Sequence, residues 1–121
     1  MSKRILVIED QEDTRRILRD LLTSAGYEMI EAVTGEEGVT LAEMQRPDLI
    51  LMDIQLPGLD GYETTRRIKA NPGLRQIPII AVTSYALSGD AAKAAAAGCD
   101  AYVTKPFSPR QLLGKIREYL P

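Results

Sequence analysis

The sequence has no histidine and no tryptophan, and Cys99 is its only cysteine. Without histidine, Ser-His-Asp and Cys-His catalytic groups are excluded, and so is a metal held by imidazole. A single cysteine excludes an intrachain disulfide and a zinc site built on cysteines, and it favours a reducing cytoplasm as the location. Any bound metal must therefore be held mainly by oxygen.

Long apolar runs and a strong charge bias are also lacking. The longest apolar runs, such as residues 5–8 and 49–52, are far below the roughly 20 residues that a membrane span requires. The formal net charge of -2 argues against a nucleic-acid surface, which is normally basic. With 121 residues, 45% of them hydrophobic and 26% charged, the chain matches one globular domain over residues 1–121.

Short aliphatic runs alternate with longer segments of helical period, a pattern that predicts five βα units. Strands are predicted at residues 3–8, 28–32, 49–52, 79–83 and 101–104, and helices two to four at 35–45, 62–70 and 89–97. The first helix is predicted to end before Gly26, and the fifth to begin at Ser108 and Pro109. We expect an α/β fold with a doubly wound, five-stranded parallel sheet of order 2-1-3-4-5, flavodoxin-like, with five helices.

Apolar stripes indicate which faces of the first and last helices turn inward. The predicted inward residues of the first helix are Ile17, Leu18, Leu21, Leu22 and Ala25. Those of the fifth helix are Leu112, Leu113, Ile116 and Leu120.

Polar residues follow the predicted strands at the edge where a doubly wound sheet binds its ligands. Glu9 and Asp10 follow strand one, Asp53 follows strand three, Thr83 ends strand four and Lys105 follows strand five. Two carboxylates about 4 Å apart repel by roughly 4 kcal/mol at an effective dielectric constant near 20. We therefore expect positive charge among them, part of it from Lys105 and the rest from a divalent cation. Oxygen ligands favour Mg²⁺, Mn²⁺ or Ca²⁺, and Mg²⁺ fits a carboxylate site that also meets a phosphate.

Such a set of residues is suited to phosphate chemistry. An aspartate carboxylate can accept a phosphoryl group, while a lysine, a hydroxyl group and a metal stabilise the charge on the transferring oxygens. Each acid alone is explained equally well as a helix cap or a turn residue. The convergence of all five residues on one edge favours the functional interpretation.

Several segments together resemble the signature of response-regulator receiver domains. They are Leu-Val-Ile-Glu-Asp at 6–10, Asp-Leu-Ile-Leu-Met-Asp-Ile-Gln-Leu-Pro at 48–57, Gly61, Val-Thr at 82–83 and Lys-Pro at 105–106. The resemblance covers nearly the whole chain. More narrowly, the segment around Asp53 and the ending after the fifth helix are similar to single-domain receivers of the cell-division control type.

The resemblance implies that Asp53 is the phosphoacceptor and that the metal is Mg²⁺, with Mn²⁺ as a substitute. Its ligands would be Asp10, the Asp53 carboxylate and the backbone carbonyl of Gln55, with Glu9 acting through water. Many receivers carry aspartate where this chain has Glu9. The longer side chain is expected to change how the water ligands are held.

The resemblance also implies how the phosphoryl group is held and sensed. Thr83 would bind a phosphoryl oxygen and Lys105 would pair with the phosphate, while Thr83 and Tyr102 would act as the switch. The Lys105–Pro106 peptide bond would be cis. The surface formed by helix four, strand five and helix five would bind the next protein. A bulky Tyr85 at the mouth of the site suggests a long-lived phosphorylated state.

The resemblance implies that the donor is a histidine kinase or a histidine phosphotransferase. Because this sequence has no histidine, the donor histidine must belong to another chain or to another part of a longer protein. The expected acceptor of the signal is a downstream protein target, with no direct contact to nucleic acid or membrane. The chain is expected to be a monomer or a weak dimer linked to phosphorylation. It would assist its own phosphorylation and dephosphorylation, and would not be an enzyme acting on external substrates.

Three alternatives remain open on the sequence alone. An aspartyl-phosphate phosphatase would carry a second aspartate two residues after the nucleophile, where this chain has Gln55. A flavodoxin-like cofactor binder would need a phosphate loop after strand one, whereas residues 9–13 are mostly acidic and would repel a phosphate. The third alternative is a receiver that binds its partners without being phosphorylated.

Overall fold

The computed structural model describes residues 2–84 and 90–121. Its strands are β1 (Arg4–Ile8), β2 (Glu28–Ala32), β3 (Leu49–Asp53), β4 (Ile79–Thr83) and β5 (Ala101–Thr104). Its helices are α1 (Glu12–Ser24), α2 (Gly35–Gln45), α3 (Gly61–Ala70), α4 (Asp90–Ala97) and α5 (Pro109–Tyr119). The five predicted βα units are confirmed, while Gly89, the first residue of the predicted fourth helix, lies outside the described residues.

All strand pairs are parallel, and the strand order is β2-β1-β3-β4-β5, as predicted. From β1 the chain adds β2 on one side of the sheet and then returns to add β3, β4 and β5 on the other side. An open α/β sheet forms its ligand crevice at such a point, here between β1 and β3. The register places Ile8 opposite Met52 and Asp53 opposite Val82. The residues that follow β1 and β3 consequently meet at the same edge.

Helices cover both faces of the sheet, so its central strands have no polar face. In β1, Leu6 and Ile8 pack into one core cluster, whereas Ile5 and Val7 pack into the other. The first cluster is completed by buried residues of α2, α3 and α4, and the second by residues of α1 and α5. This double burial explains the unbroken apolar runs in β1, β3 and β4.

Polar side chains start three of the helices. Thr34, Asp60 and Ser108 accept hydrogen bonds from the third backbone N–H of α2, α3 and α5, at 3.1, 2.8 and 3.0 Å. Pro109 follows as the first residue of α5 and needs no hydrogen-bond acceptor there. These caps fix the helix starts beside the carboxyl edge of the sheet, since each helix follows a strand.

The predicted inward stripe of α1 is wrong at one position. Leu18 and Leu22 are buried, but Ile17 is 58% exposed. Residues 17 and 18 differ by 100° around a helix, and the sheet covers an arc centred on Leu18 and Leu22. In α5, Leu112 and Ile116 are fully buried and Leu113 and Leu120 pack partly against the same cluster, as predicted.

The edge of the sheet opposite the strand ends is tied together by Lys69, at the end of α3. Its ammonium group donates to the backbone oxygens of Arg75 and Ile77 and to Asp100 Oδ2, at 3.1, 2.8 and 3.1 Å. The same Asp100 oxygen accepts the backbone N–H of Ile79 at 2.8 Å. One ion pair thus joins α3, the start of β4 and the turn before β5.

Within the described residues, no helix combines the length and the apolar character needed to cross a membrane.

Candidate functional site

The site lies at the carboxyl edge, where the predicted acids converge. Glu9, Asp10 and Asp53 each offer one carboxylate oxygen, and these oxygens all lie within 4.8 Å of one another. Glu9 and Asp53 are buried, with 2% and 4% of their surface exposed, whereas Asp10 is half-buried. Two of the three charges are therefore shielded from water, which makes their repulsion strong.

Lys105 supplies the positive charge that was predicted, but its main partner is Glu9. Its Nζ atom lies 2.7 Å from Glu9 Oε1 and 3.7 Å from Asp53 Oδ1. The Lys105–Pro106 peptide bond is cis, as expected.

Backbone N–H groups hold the two buried acids in place. Gln11 donates to Glu9 Oε2 at 3.1 Å, and Gln55 donates to Asp53 Oδ1 at 3.0 Å. The side chain of Gln55 also accepts the backbone N–H of Ser84 at 3.2 Å. Gln55 therefore contacts both the acid that ends β3 and the segment that follows β4.

The electrostatic environment makes Asp53 an unusual carboxylate. Burial, together with the hydrogen bond and the charge of Glu9, raises the pKa of Asp53 to about 7. The Gln55 N–H and the Lys105 charge act in the opposite direction but do not outweigh the burial. Near neutral pH the carboxyl group is therefore poised between its protonated and ionised forms.

Close backbone packing beside Asp53 explains Gly61 at the start of α3. A Cβ atom at this position would lie 2.4 Å from the backbone oxygen of Asp53 and 2.6 Å from the Cα atom of Ile54. The Gly61 N–H also donates to the Ile54 oxygen at 3.1 Å. Only glycine lets α3 begin this close to the acid.

The predicted switch residues lie on neighbouring strands. Thr83 is buried at the end of β4, and its backbone oxygen accepts the Lys105 N–H at 2.7 Å. Tyr102 is half-buried in β5 and lines an open cavity of about 200 Å³ beneath α4. Tyr85, to which a role in the lifetime of the phosphorylated state was assigned, lies outside the described residues.

The sequence analysis missed Arg15, which contacts the site from α1. Arg15 Nη1 donates to the backbone oxygen of Glu9 at 3.0 Å, and its Nε atom lies 3.3 Å from Glu31 Oε1. Two signals were available: Arg15 and Arg19 share a helix face at a spacing of four, and Glu31 lies between apolar residues of β2. Neither signal identifies the backbone oxygen of Glu9 as the contact.

Known proteins share both the sequence pattern and the fold. The family model of the response regulator receiver domain matches residues 5–117. The chain is 44% identical over 120 residues to the polar-differentiation response regulator DivK of Brucella anthropi, covering 99% of this chain and 98% of that relative. This near-complete coverage of both proteins agrees with the expected similarity to single-domain receivers.

Solved structures give the same result. The receiver domain of a sensor histidine kinase from Pseudomonas aeruginosa, with a magnesium ion coordinated in its active-site cleft, is 39% identical with a TM-score of 0.92 over 98% of each chain. A chemotaxis protein CheY4 of Vibrio cholerae is 25% identical with a TM-score of 0.93, over 98% of this chain and 99% of its own. The predicted resemblance and fold are confirmed.

Proposed function

The chain belongs to the response-regulator receiver family of two-component signalling, and from this membership we propose that Asp53 accepts a phosphoryl group from a separate histidine kinase or histidine phosphotransferase. The observation that carries the proposal is the buried Asp53 carboxylate, within 4.8 Å of two further carboxylate oxygens and 3.7 Å from Lys105. Burying an acid among like charges lowers the stability of the folded protein. Carboxylates perturbed in this way are found preferentially at functional sites.

In the proposed reaction an ionised Asp53 oxygen attacks the phosphorus atom of the donor. The new bond joins Asp53 Oδ to phosphorus as the bond between the donor histidine nitrogen and phosphorus breaks, and the electron pair returns to the imidazole. The Thr83 hydroxyl group would bind one phosphoryl oxygen. Lys105 would leave Glu9 and pair with the phosphoryl group, whose negative charge it stabilises.

The donor set fits a hard divalent cation, because three carboxylates converge and, within the part of the chain that the structure describes, no sulfur or imidazole group joins them. We propose Asp10, the Asp53 carboxylate and the Gln55 backbone carbonyl as ligands of Mg²⁺, or of Mn²⁺ as a substitute, with Glu9 acting through water. The magnesium ion in the Pseudomonas receiver domain supports this choice. When bound, the cation would supply positive charge beside the phosphoryl oxygens.

Phosphorylation would change the surface formed by α4, β5 and α5, which a downstream protein would bind. Thr83 ends the strand next to β5, and Tyr102 packs against the core beside the alanines of α4. Tyr102 lines an open cavity of about 200 Å³, which supports the proposal that its ring changes rotamer. We propose that Thr83 and Tyr102 move together and thereby alter the surface that a downstream protein binds.

Family membership also supports proposals on the domain extent, the location, the oligomeric state and the type of activity. Residues 1–121 would act as one receiver domain in the cytoplasm, as a monomer or a weak phosphorylation-linked dimer, without direct binding to nucleic acid or membrane. It would assist its own phosphorylation and dephosphorylation without turning over external substrates. Gln55 stands where an aspartyl-phosphate phosphatase would carry its general acid, which supports this last assignment.

The proposal is tested by intact-protein mass measurement after incubation with acetyl phosphate and Mg²⁺. We expect the parent chain to gain one phosphoryl group and Asp53→Asn to gain none. Asp20→Asn is the matched control, because Asp20 is an exposed acid on α1, and it should gain the group like the parent.

Two results would contradict the proposal. Absence of a mass gain in the parent would remove phosphoryl acceptance altogether. A gain in Asp53→Asn equal to that of the parent would move the acceptor to another residue. Chelation of Mg²⁺ should abolish the gain, and a full gain in chelator would refute the metal requirement.

A further inference from the structure

The side chain of Arg15 on α1 is unusually buried for an arginine. Its side chain is only 15% exposed, whereas that of the next residue, Arg16, is 64% exposed and lies 3.9 Å from Glu12. The Arg15 guanidinium group turns toward the sheet edge and contacts the Glu9 backbone oxygen at 3.0 Å. It also lies 3.3 Å from the carboxylate of Glu31.

Glu31 orients this guanidinium group from the edge strand β2. Arg19, one helical turn after Arg15, donates to both oxygens of Glu31, at 2.9 and 2.7 Å. The hydrogen bond from Arg19 helps to hold the pKa of Glu31 below its ordinary value. Glu31 is thus ionised at neutral pH and balances one of the two arginines that it joins.

The contact to Glu9 fixes the direction of the chain as it leaves β1. The Glu9 N–H donates to the Ala32 oxygen at 3.0 Å, and its carbonyl oxygen accepts from Arg15. That carbonyl belongs to the peptide joining Glu9 to Asp10, and a peptide unit is planar. Holding the oxygen therefore fixes the position of the Asp10 Cα atom, from which the Asp10 side chain projects.

We infer that Arg15, oriented by Glu31, is a positioning residue that holds Glu9 and Asp10 in the geometry needed for cation binding. The inference rests on the proposed function, since it assigns the partner that shapes the same site. Groups that orient metal ligands through hydrogen bonds commonly change metal affinity by about 10- to 100-fold when they are removed. The contact here is to the backbone between two acids, so we expect the lower end of that range.

The three physical roles open to Arg15 predict different results for its replacement. If Arg15 positions the acids, its loss weakens cation binding. If it acts only through its charge, its loss strengthens cation binding, because one positive charge is removed from the vicinity of three carboxylates. If it only attaches α1 to β2, its loss lowers stability and leaves cation affinity unchanged.

The experiment is a titration of the parent and of Arg15→Met with MgCl₂ in the absence of any phosphodonor. Changes in the backbone amide NMR shifts give the Mg²⁺ affinity. We expect Mg²⁺ to bind Arg15→Met about tenfold more weakly than the parent. Arg19→Met is the matched control, because Arg19 also hydrogen-bonds to Glu31 but, among the described residues, not to Glu9. The Mg²⁺ affinity of this variant should stay within about twofold of the parent. Arg15→Lys, which keeps a donor and the charge, should recover most of the affinity.

Unchanged or tighter binding by Arg15→Met overturns the inference, and so does an equal loss in Arg19→Met. If Arg15→Met does not fold, Glu31→Gln carries the test, since it keeps Arg15 but weakens its orientation. Weaker Mg²⁺ binding by Glu31→Gln supports the inference, and parental binding overturns it. A parent chain that binds no Mg²⁺ overturns the proposed metal site as well. A parent that binds Mg²⁺ and accepts a phosphoryl group, with Arg15→Met unchanged, overturns only the role of Arg15.

Discussion

Lys105 Nζ lies 2.7 Å from Glu9 Oε1 but 3.7 Å from Asp53 Oδ1. The ammonium group is therefore paired with the neighbour of the proposed acceptor more closely than with the acceptor itself. Both carboxylates are almost fully buried. Lys105 thus stabilises the two buried carboxylates, and this role is separate from its role in the proposed reaction.

Replacing Lys105 with methionine is expected to destabilise the protein in the absence of cations. The change leaves two buried carboxylates without their positive partner, and breaking a buried pair in this way costs about 3 kcal/mol. Urea unfolding at about pH 8 in chelator measures the loss. Lys115→Met is the control, because Lys115 pairs with the exposed Glu118 at 3.2 Å and should change the unfolding free energy by less than about 0.5 kcal/mol. Equal effects of the two substitutions would refute the structural role of Lys105.

Replacing Asp53 with asparagine is expected to stabilise the protein, by about 2 kcal/mol near pH 8. The pKa of Asp53 is raised from 3.8 to about 7 on folding, so between these values the folded state holds a proton that the unfolded state has lost. This group therefore makes the parent less stable as the pH rises through that window, with the full cost present above it. The gain from Asp53→Asn should shrink toward pH 4.

Unfolding curves of the parent and Asp53→Asn at several pH values test this expectation. Asp20→Asn, which replaces an exposed acid in the same way, should show no such gain. A stability difference between Asp53→Asn and the parent that stays constant from about pH 4 to pH 8 would show that Asp53 does not titrate in this window.

Mg²⁺ binding is expected to weaken as the pH falls below 7. The cation requires an ionised Asp53, whose pKa lies at about 7, so binding below this value must displace one proton. The apparent affinity should then fall about tenfold for each pH unit. Calorimetry in buffers of different ionisation enthalpy measures the proton release directly, and release of no proton near pH 6 would contradict the expectation.

Replacing Gly61 with alanine is expected to destabilise the protein by about 2 kcal/mol or more, because the new Cβ atom would meet backbone atoms that belong to β3 and to the residue after it. Gly114→Ala is the control within α5, where a Cβ atom would meet nothing within 4 Å. Alanine has the higher helix propensity, so this substitution should stabilise the protein by about 0.5 to 1 kcal/mol. Thermal unfolding compares the two, and similar effects would contradict the packing described at Gly61.

Periodicity and end signals predicted most of the fold because both faces of the sheet are covered. The unbroken apolar run of β4 and the Ser108–Pro109 start of α5 each agree with the tertiary structure, so local and long-range preferences coincide. Ile17 was assigned wrongly because adjacent residues on a helix share the edge of an apolar face. Only the position of the sheet decides which of the two is buried.

The convergence of Glu9, Asp10, Asp53, Thr83 and Lys105 followed from strand order alone, since parallel strands end at one edge. The pairing of Lys105 with Glu9 and the contact of Arg15 with a backbone oxygen did not follow. Both depend on side-chain reach and helix rotation, to which residue type gives no guide. The roles of these residues in phosphoryl transfer stay predictions until the mass measurements are made.

The ion pair of Lys69 and Asp100 has a mechanical consequence. It joins α3, β4 and the entry to β5 at the base of the sheet, on the side away from the acids. Because these contacts hold the first residue of β4, this strand is freer to move at its other end, where Thr83 lies. If Thr83 moves on phosphorylation, the movement should therefore pass along the carboxyl edge of the sheet to β5 and the helices beside it. The opposite edge, where Lys69 and Asp100 lie, should keep its structure.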